Sequence, residues 1–162
     1  MDFKKIRQIE DLKEELSDLK QKNKELFKKN IEPKAVELTK EFIEELVEFF
    51  KEQDFKVNKT NDGITAKYKN HGFLIRRQEN NISIEENGQQ KWSIYASYNH
   101  FTHSGYGLPD GEADREIIRL QKEIEAAMRN TENYENPFVY LTIRADGRRF
   151  ANPKDVIDQL FN

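Results

Sequence analysis

Cysteine is absent from this chain of 162 residues, which excludes disulfides and thiolate metal sites and leaves the redox compartment unassigned. Only four prolines and seven glycines punctuate it, and none falls within residues 3–29, so nothing there interrupts a helix. No apolar run is long enough to cross a bilayer, and the opening Met1-Asp2-Phe3-Lys4-Lys5 leads into charge; no membrane association and a cytoplasmic location are the expectation. An excess of one charge is also missing. Lys and Arg number 27 against 30 Asp and Glu, a formal net charge of −3, with a pI near 5.7 and a mean hydropathy of −0.95. Such a balance argues against a general nucleic-acid binder and equally against an acidic mimic of DNA, while leaving room for a local basic patch.

What the chain does have is a heptad. Ile9, Leu12, Leu16, Leu19, Asn23 and Leu26 recur at alternating spacings of three and four among charged residues, which lays one seam along a helix and demands a second helix to cover it. Asn23 stands where an apolar side chain is expected. In a parallel pair such an Asn meets its symmetry mate and sets register; in an intramolecular hairpin it lies near the wet end. Both a homodimer and a hairpin with the following helix remain open, because a helix this short needs tertiary packing in either case.

A break is expected at Asn30-Ile31-Glu32-Pro33, with Asn30 as a cap and Pro33 in a first turn. A second helix over 33–53 carries Val36, Ile43, Leu46, Val47 and Phe50 on one face, widened by Leu38, Phe42 and Phe49. From Phe55 the period falls to two. Short runs at 55–57, 64–68, 73–76, 82–84 and 92–96 alternate with Asn61-Asp62-Gly63, Asn70-His71-Gly72, Asn80-Asn81 and Asn87-Gly88, the pattern of an antiparallel meander. A third helix with Ala113, Ile117, Leu120, Ile124 and Ala127 on one stripe should cover the sheet. A sixth strand follows over 138–144, and Asn152-Pro153-Lys154-Asp155 caps a short last helix. The fold class is therefore α+β: an N-terminal helical pair, an antiparallel sheet of five to six strands, one long covering helix and a short C-terminal one. The expected division is a coiled-coil-like helix over 1–30 and an α+β domain over 31–162.

Two constellations invite a functional reading. The stretch 99–111 holds His100, His103 and Tyr106 with three of the seven glycines, and loops of this length are often functional. As a phosphate cradle it lacks the Gly spacing, and Glu112 and Asp114 would repel an anion at the helix start. As a metal site, His-x-x-His without a second fixed pair is nonspecific, so neither a metal nor another cofactor is expected. As an acid-base site it shows no partnered nucleophile and base, and no catalytic residue is assigned. The bland alternative is a glycine-tolerant loop with Asp110 capping the helix. The second constellation is basic: Arg76 and Arg77 on one strand, and Arg144, Arg148 and Arg149 around a turn. Guanidinium forks suit carboxylate or phosphate recognition, although charges also keep sheet edges unpaired. Tyr95, Tyr98, Tyr134 and Tyr140 could add contact surface.

These features favour a non-enzymatic binding protein of inhibitor or adaptor type. It would oligomerise through its first helix and recognise a protein partner with its arginines and the 99–111 loop. A composition rich in Lys, Asn, Ile and Glu is shared by many phage and mobile-element proteins. The alternatives are a small-ligand or nucleotide-sequestering protein or weak hydrolase centred on the loop, and a structural coiled-coil subunit.

Overall fold

A computed structural model describes residues 2–103 and 107–162. Helix α1 (Phe3–Leu26) opens on Asp2, whose carboxylate accepts from the backbone N–H groups of Lys4 and Lys5 at 3.0 and 3.2 Å, satisfying donors that the first turn leaves orphaned. The break expected at Asn30–Pro33 is instead a π-helical segment, Phe27–Ile31, which runs directly into α2 (Glu32–Glu52). The widened turn is visible in the bond from Glu32 N–H to Phe27 C=O. A proline inside a helix lacks a donor and crowds the carbonyl four residues back; a wider turn just before Pro33 makes room for its ring, so the helix continues.

The chain divides into two compact units, Met1–Glu32 with Asn99–Phe138 and Pro33–Tyr98 with Val139–Asn162. In the first, α1 packs against α3 (Glu112–Glu135). Leu16 of α1 forms one buried cluster with Leu120, Ile124 and Ala127 of α3, flanked by Ile9, Leu12 and Leu19. The stripe expected to meet the sheet thus meets the heptad seam, and the seam is covered within the chain by α3, which is neither a second copy nor the helix that follows. Leu26, the last seam position, is half-buried. Asn23 is buried at this contact. Its Nδ2 donates to Ala127 C=O at 2.9 Å, and its Oδ1 accepts from the Thr131 hydroxyl at 2.5 Å. Asn30 is likewise no cap: its amide donates to Tyr134 C=O at 2.8 Å. Helix α3 begins on Gly111, without a side-chain cap, and Asp110 stands one residue earlier. A Cβ at Gly111 would come within 3.2 Å of Asp114 Oδ2, so the carboxylate that shields this helix start is Asp114.

The second unit is a seven-stranded antiparallel meander in sequence order: β1 (Lys56–Thr60), β2 (Gly63–Tyr68), β3 (His71–Gln78), β4 (Asn81–Glu86), β5 (Gln89–Tyr98), β6 (Val139–Ile143) and β7 (Arg149–Phe150). The strand beyond the six expected is β7, a two-residue return after a turn in which Gly147 takes a φ of +70°. Gly63 shows why one turn residue must be glycine: at φ +143° its missing Cβ would lie 2.3 Å from Ile75 O. One sheet face is apolar. Ala66, Phe73, Ile75, Ile82, Ile84, Ile94, Leu141 and Ile143 join Phe42, Leu46 and Phe50 of α2 and Val156 and Ile157 of α4 (Pro153–Phe161) in one buried cluster. Asn152 caps α4 as expected, accepting from Lys154 N–H at 2.8 Å.

The seam's use within the chain has a measurable consequence. Asn23→Ala removes the buried bonds to Ala127 C=O and to the Thr131 hydroxyl, which keeps its own bond to Ala127 C=O at 3.0 Å. Two lost bonds are expected to lower stability in urea by about 1–3 kcal/mol, whereas Asn23→Leu with Thr131→Val, which replaces both polar partners by apolar groups, should fall closer to wild type. Sedimentation of the full chain at micromolar concentration is expected to give the monomer mass; a dimer abolished by truncating α1 would reverse this.

Candidate functional site

Successive side chains of a strand point to opposite faces, so burying the isoleucines commits the residues between them to the second face. The register puts those residues in rows. Arg76 of β3 faces Ser83 of β4, and Ser83 faces Ser93 of β5. Arg144, just past β6, gives its N–H to Ser93 C=O at 2.9 Å. Two arginines therefore stand at the ends of one row with two serines between them. The adjacent row reads Asn81, Tyr95, Thr142 and Arg149. The two basic clusters do not lie on neighbouring strands: β4 and β5 stand between β3 and the turn that follows β6.

The guanidinium of Arg144 is held in place. It lies over the Tyr95 ring at 4.7 Å from the centroid, and its Nη2 and Nε donate to Asn81 Oδ1 at 2.9 Å and Ser93 Oγ at 3.4 Å. Such stacking costs little hydration for arginine and keeps the fork presented. Arg149 lies over the Tyr140 ring at 5.5 Å, and Ser97 Oγ meets Thr142 Oγ1 at 2.6 Å between the two strands. Arg76 makes a long ion pair of 3.9 Å with Glu85. Lys56 and Lys67, both exposed, are direct cross-strand partners further along the same face.

The other two arginines leave this group. Arg77 alternates to the apolar side, where it donates to Thr39 Oγ1 at 3.1 Å, Val36 C=O at 3.4 Å and Glu79 C=O at 3.1 Å; it ties β3 to α2. Arg148 lies in the turn with Asp146 at 3.6 Å. The residues that sequence reasoning passed over are Asn81, Ser83, Ser93, Thr142, Lys56 and Lys67. Their signal was alternation with buried isoleucines, which marks a face even when the residues on it are small.

The loop leading into α3 is bound to that helix. Asn130 treats Phe101 as a paired strand residue would, accepting from its N–H at 2.7 Å and donating to its C=O at 2.9 Å. Arg129 lies over the Phe101 ring at 4.2 Å. His100 Nδ1 bonds the Tyr134 hydroxyl at 2.5 Å, with the two rings stacked. Behind the loop is a cavity of about 380 Å³ whose lining includes Lys20, His100, His103, Glu123 and Ala126. Tyr106 lies outside the described residues. No group of three or more His, Asp or Glu among the described residues is placed to hold a metal ion.

Several charges around α3 are paired locally. Lys5 pairs with Asp114 at 3.0 Å, and that carboxylate holds the Lys5 ammonium above its ordinary pKa. Arg119 bonds Glu116 and Glu123 at 2.6 and 2.8 Å; the first of these bonds pulls the Glu116 carboxyl below its ordinary value and raises the guanidinium. The Lys5 ammonium at the start of α3 is thus already paired with the protein's own carboxylate.

Asn130→Ala is expected to free both backbone groups of Phe101. Hydrogen exchange at Phe101 should accelerate about 10- to 100-fold, as the loss of about 1–3 kcal/mol implies, while the sheet amides keep their protection.

Comparison with protein-family models, curated proteins and solved structures finds no match to this chain.

Proposed function

We propose that this chain is a non-enzymatic binding protein, of inhibitor or adaptor type, that recognises a protein partner with the second face of its sheet. The observation that supports this is the row Arg76, Ser83, Ser93, Arg144, with Arg144 stacked on Tyr95. Arginine and tyrosine are the residues that most often anchor interfaces, and an anchor held in place before binding loses less entropy when the partner arrives. The face is mostly polar, with Leu74 and the rings of Tyr95 and Tyr140 set among its charged and hydroxyl groups.

A second reading rests on the cavity behind the 99–103 segment. Its volume of about 380 Å³ falls within the range of about 300–1,000 Å³ that suits small ligands, and two histidines line it. On that reading the chain sequesters a small molecule or hydrolyses it weakly.

One set of variants separates the two. Partners are captured from the native host with the wild-type chain, and their affinity is then measured for Arg76→Glu with Arg144→Glu and for His100→Ala with His103→Ala, with circular dichroism to verify folding. Charge reversal at two anchors is expected to weaken binding by about 100-fold or more, because repulsion adds to lost contacts. The histidine pair should retain affinity near wild type. The opposite pattern in folded variants would move the function to the cavity.

A further inference from the structure

Charge on the second sheet face runs against the charge of the chain as a whole. Lys56, Lys67, Arg76, Arg144 and Arg149 all project there, and among the described strand residues of the face Glu85 alone carries a carboxylate, in a chain whose formal net charge is −3. The Lys56–Lys67 pair is unfavourable in the free protein, since like charges directly opposite one another repel. An anionic ligand would relieve that repulsion. At the other side of the face, the Arg144 fork is already oriented by Tyr95, Asn81 and Ser93, and the Ser83 and Ser93 hydroxyls lie between the two arginines of the row.

We propose that the occupant of this face is an extended acidic protein segment that lies along the Arg76–Arg144 row and presents carboxylates to both arginines; this rests on the binding-face reading above. The geometry sets the spacing. Arg76 and Arg144 are separated by three strand-to-strand steps, about 14 Å at about 4.8 Å each, and an extended chain rises about 3.4 Å per residue with alternate side chains on one side. Carboxylates about four residues apart therefore project toward the same surface with the separation of the two arginines. The guanidinium fork receives a carboxylate through two parallel bonds, and the intervening hydroxyls can donate to the segment's backbone carbonyls. A single-stranded nucleic acid fits this face less well. The rings on which its bases would stack, Tyr95 and Tyr140, already carry the guanidiniums of Arg144 and Arg149, and the chain lacks the overall positive field of nucleic-acid binders.

The test uses the full chain and fluorescence anisotropy at low salt, with short synthetic peptides of neutral polar background. One carries two Glu four apart, another two Glu three apart, and a control carries Gln in their place; an oligothymidylate serves as the nucleic-acid probe. The four-apart peptide is expected to bind most tightly, and Arg76→Gln or Arg144→Gln should each weaken it about 10-fold, the scale of a lost charge-assisted bond. Arg144→Lys should lose much of the same affinity, because the charge remains but the fork does not. Glu85→Gln provides a change of opposite sign, which misfolding would not produce: removal of the competing carboxylate should tighten the peptide about two- to five-fold. Equal binding of the three-apart or Gln peptides, or tighter binding of the oligonucleotide, would overturn the proposal. Absence of peptide binding, beside host-partner capture that still depends on Arg76 and Arg144, would reject the acidic segment and leave the binding face intact. Capture that ignores both arginines would reject the face itself.

Discussion

The register of the meander is the constraint from which the surface chemistry follows. Ile75 pairs with Ile64 and Ile84, and Ile94 pairs with Ile82 and Ile143, so β3 and β5 are each held by an apolar partner on both sides. A slip of one residue in any strand would carry its whole apolar set to the polar side. Full burial of Ile82, Ile84 and Ile94 makes such a slip expensive, at about 1.5–3 kcal/mol for each such side chain exposed. The same penalty that keeps the isoleucines inside keeps Arg76, Ser83, Ser93 and Arg144 outside and in line. No dedicated interaction has to position the row, and the local bonds of Arg144 need only orient a side chain that the core has already placed.

A different logic governs the helical pair. Its apolar contact is narrow: Leu16, Leu120, Ile124 and Ala127 form its buried cluster, and two of its ion pairs, Lys5–Asp114 and Lys22–Glu135, are half-exposed, a class of interaction worth little alone. Specificity comes from the polar contacts. Asn23 can meet both Ala127 C=O and Thr131 Oγ1 in only one alignment of α1 against α3, and Asn30 adds a second fixed point at Tyr134. A shift by one helical turn would take the buried Asn23 amide away from both partners. Polar residues in a seam thus lower the maximum stability and raise the cost of every alternative register.

How much of this could be read beforehand follows from the range of each signal. The heptad and the period-two runs are local, and both produced the elements they announced. The hairpin at Asn87-Gly88 was equally local, since both residues take positive φ, as a two-residue turn demands. Partner choice is not local: the seam of α1 specifies an apolar stripe opposite it, and α3 carries such a stripe 104 residues from Asn23 at Ala127. Pro33 does lie in the first turn of α2, but the break expected over Asn30–Pro33 is absent, because the π turn ahead of the proline keeps the helix continuous and leaves no composition signature. Arg76 and Arg77 looked like one cluster because they are adjacent, yet adjacency in a strand means opposite faces. Counting in twos from Ile75 would have separated them, and the positions skipped in counting by twos from Ile82 and Ile94 include Ser83 and Ser93, on the face of Arg76.

Between the two regions that sequence reasoning singled out, the decisive difference lies in what each side chain has left to offer. In the loop segment, Asn130 spends its amide on Phe101 and His100 directs Nδ1 to Tyr134, so the described hydrogen bonds serve to hold the segment on α3. On the sheet face, Arg144 spends part of its donor set on Asn81 and Ser93 and Arg76 meets Glu85 only at 3.9 Å. A guanidinium has five donors, and these contacts use only part of them on Arg144. The bonds of Asn130 and His100 tie the loop segment to α3, whereas the bonds of Arg144 orient one guanidinium without using all of its donors.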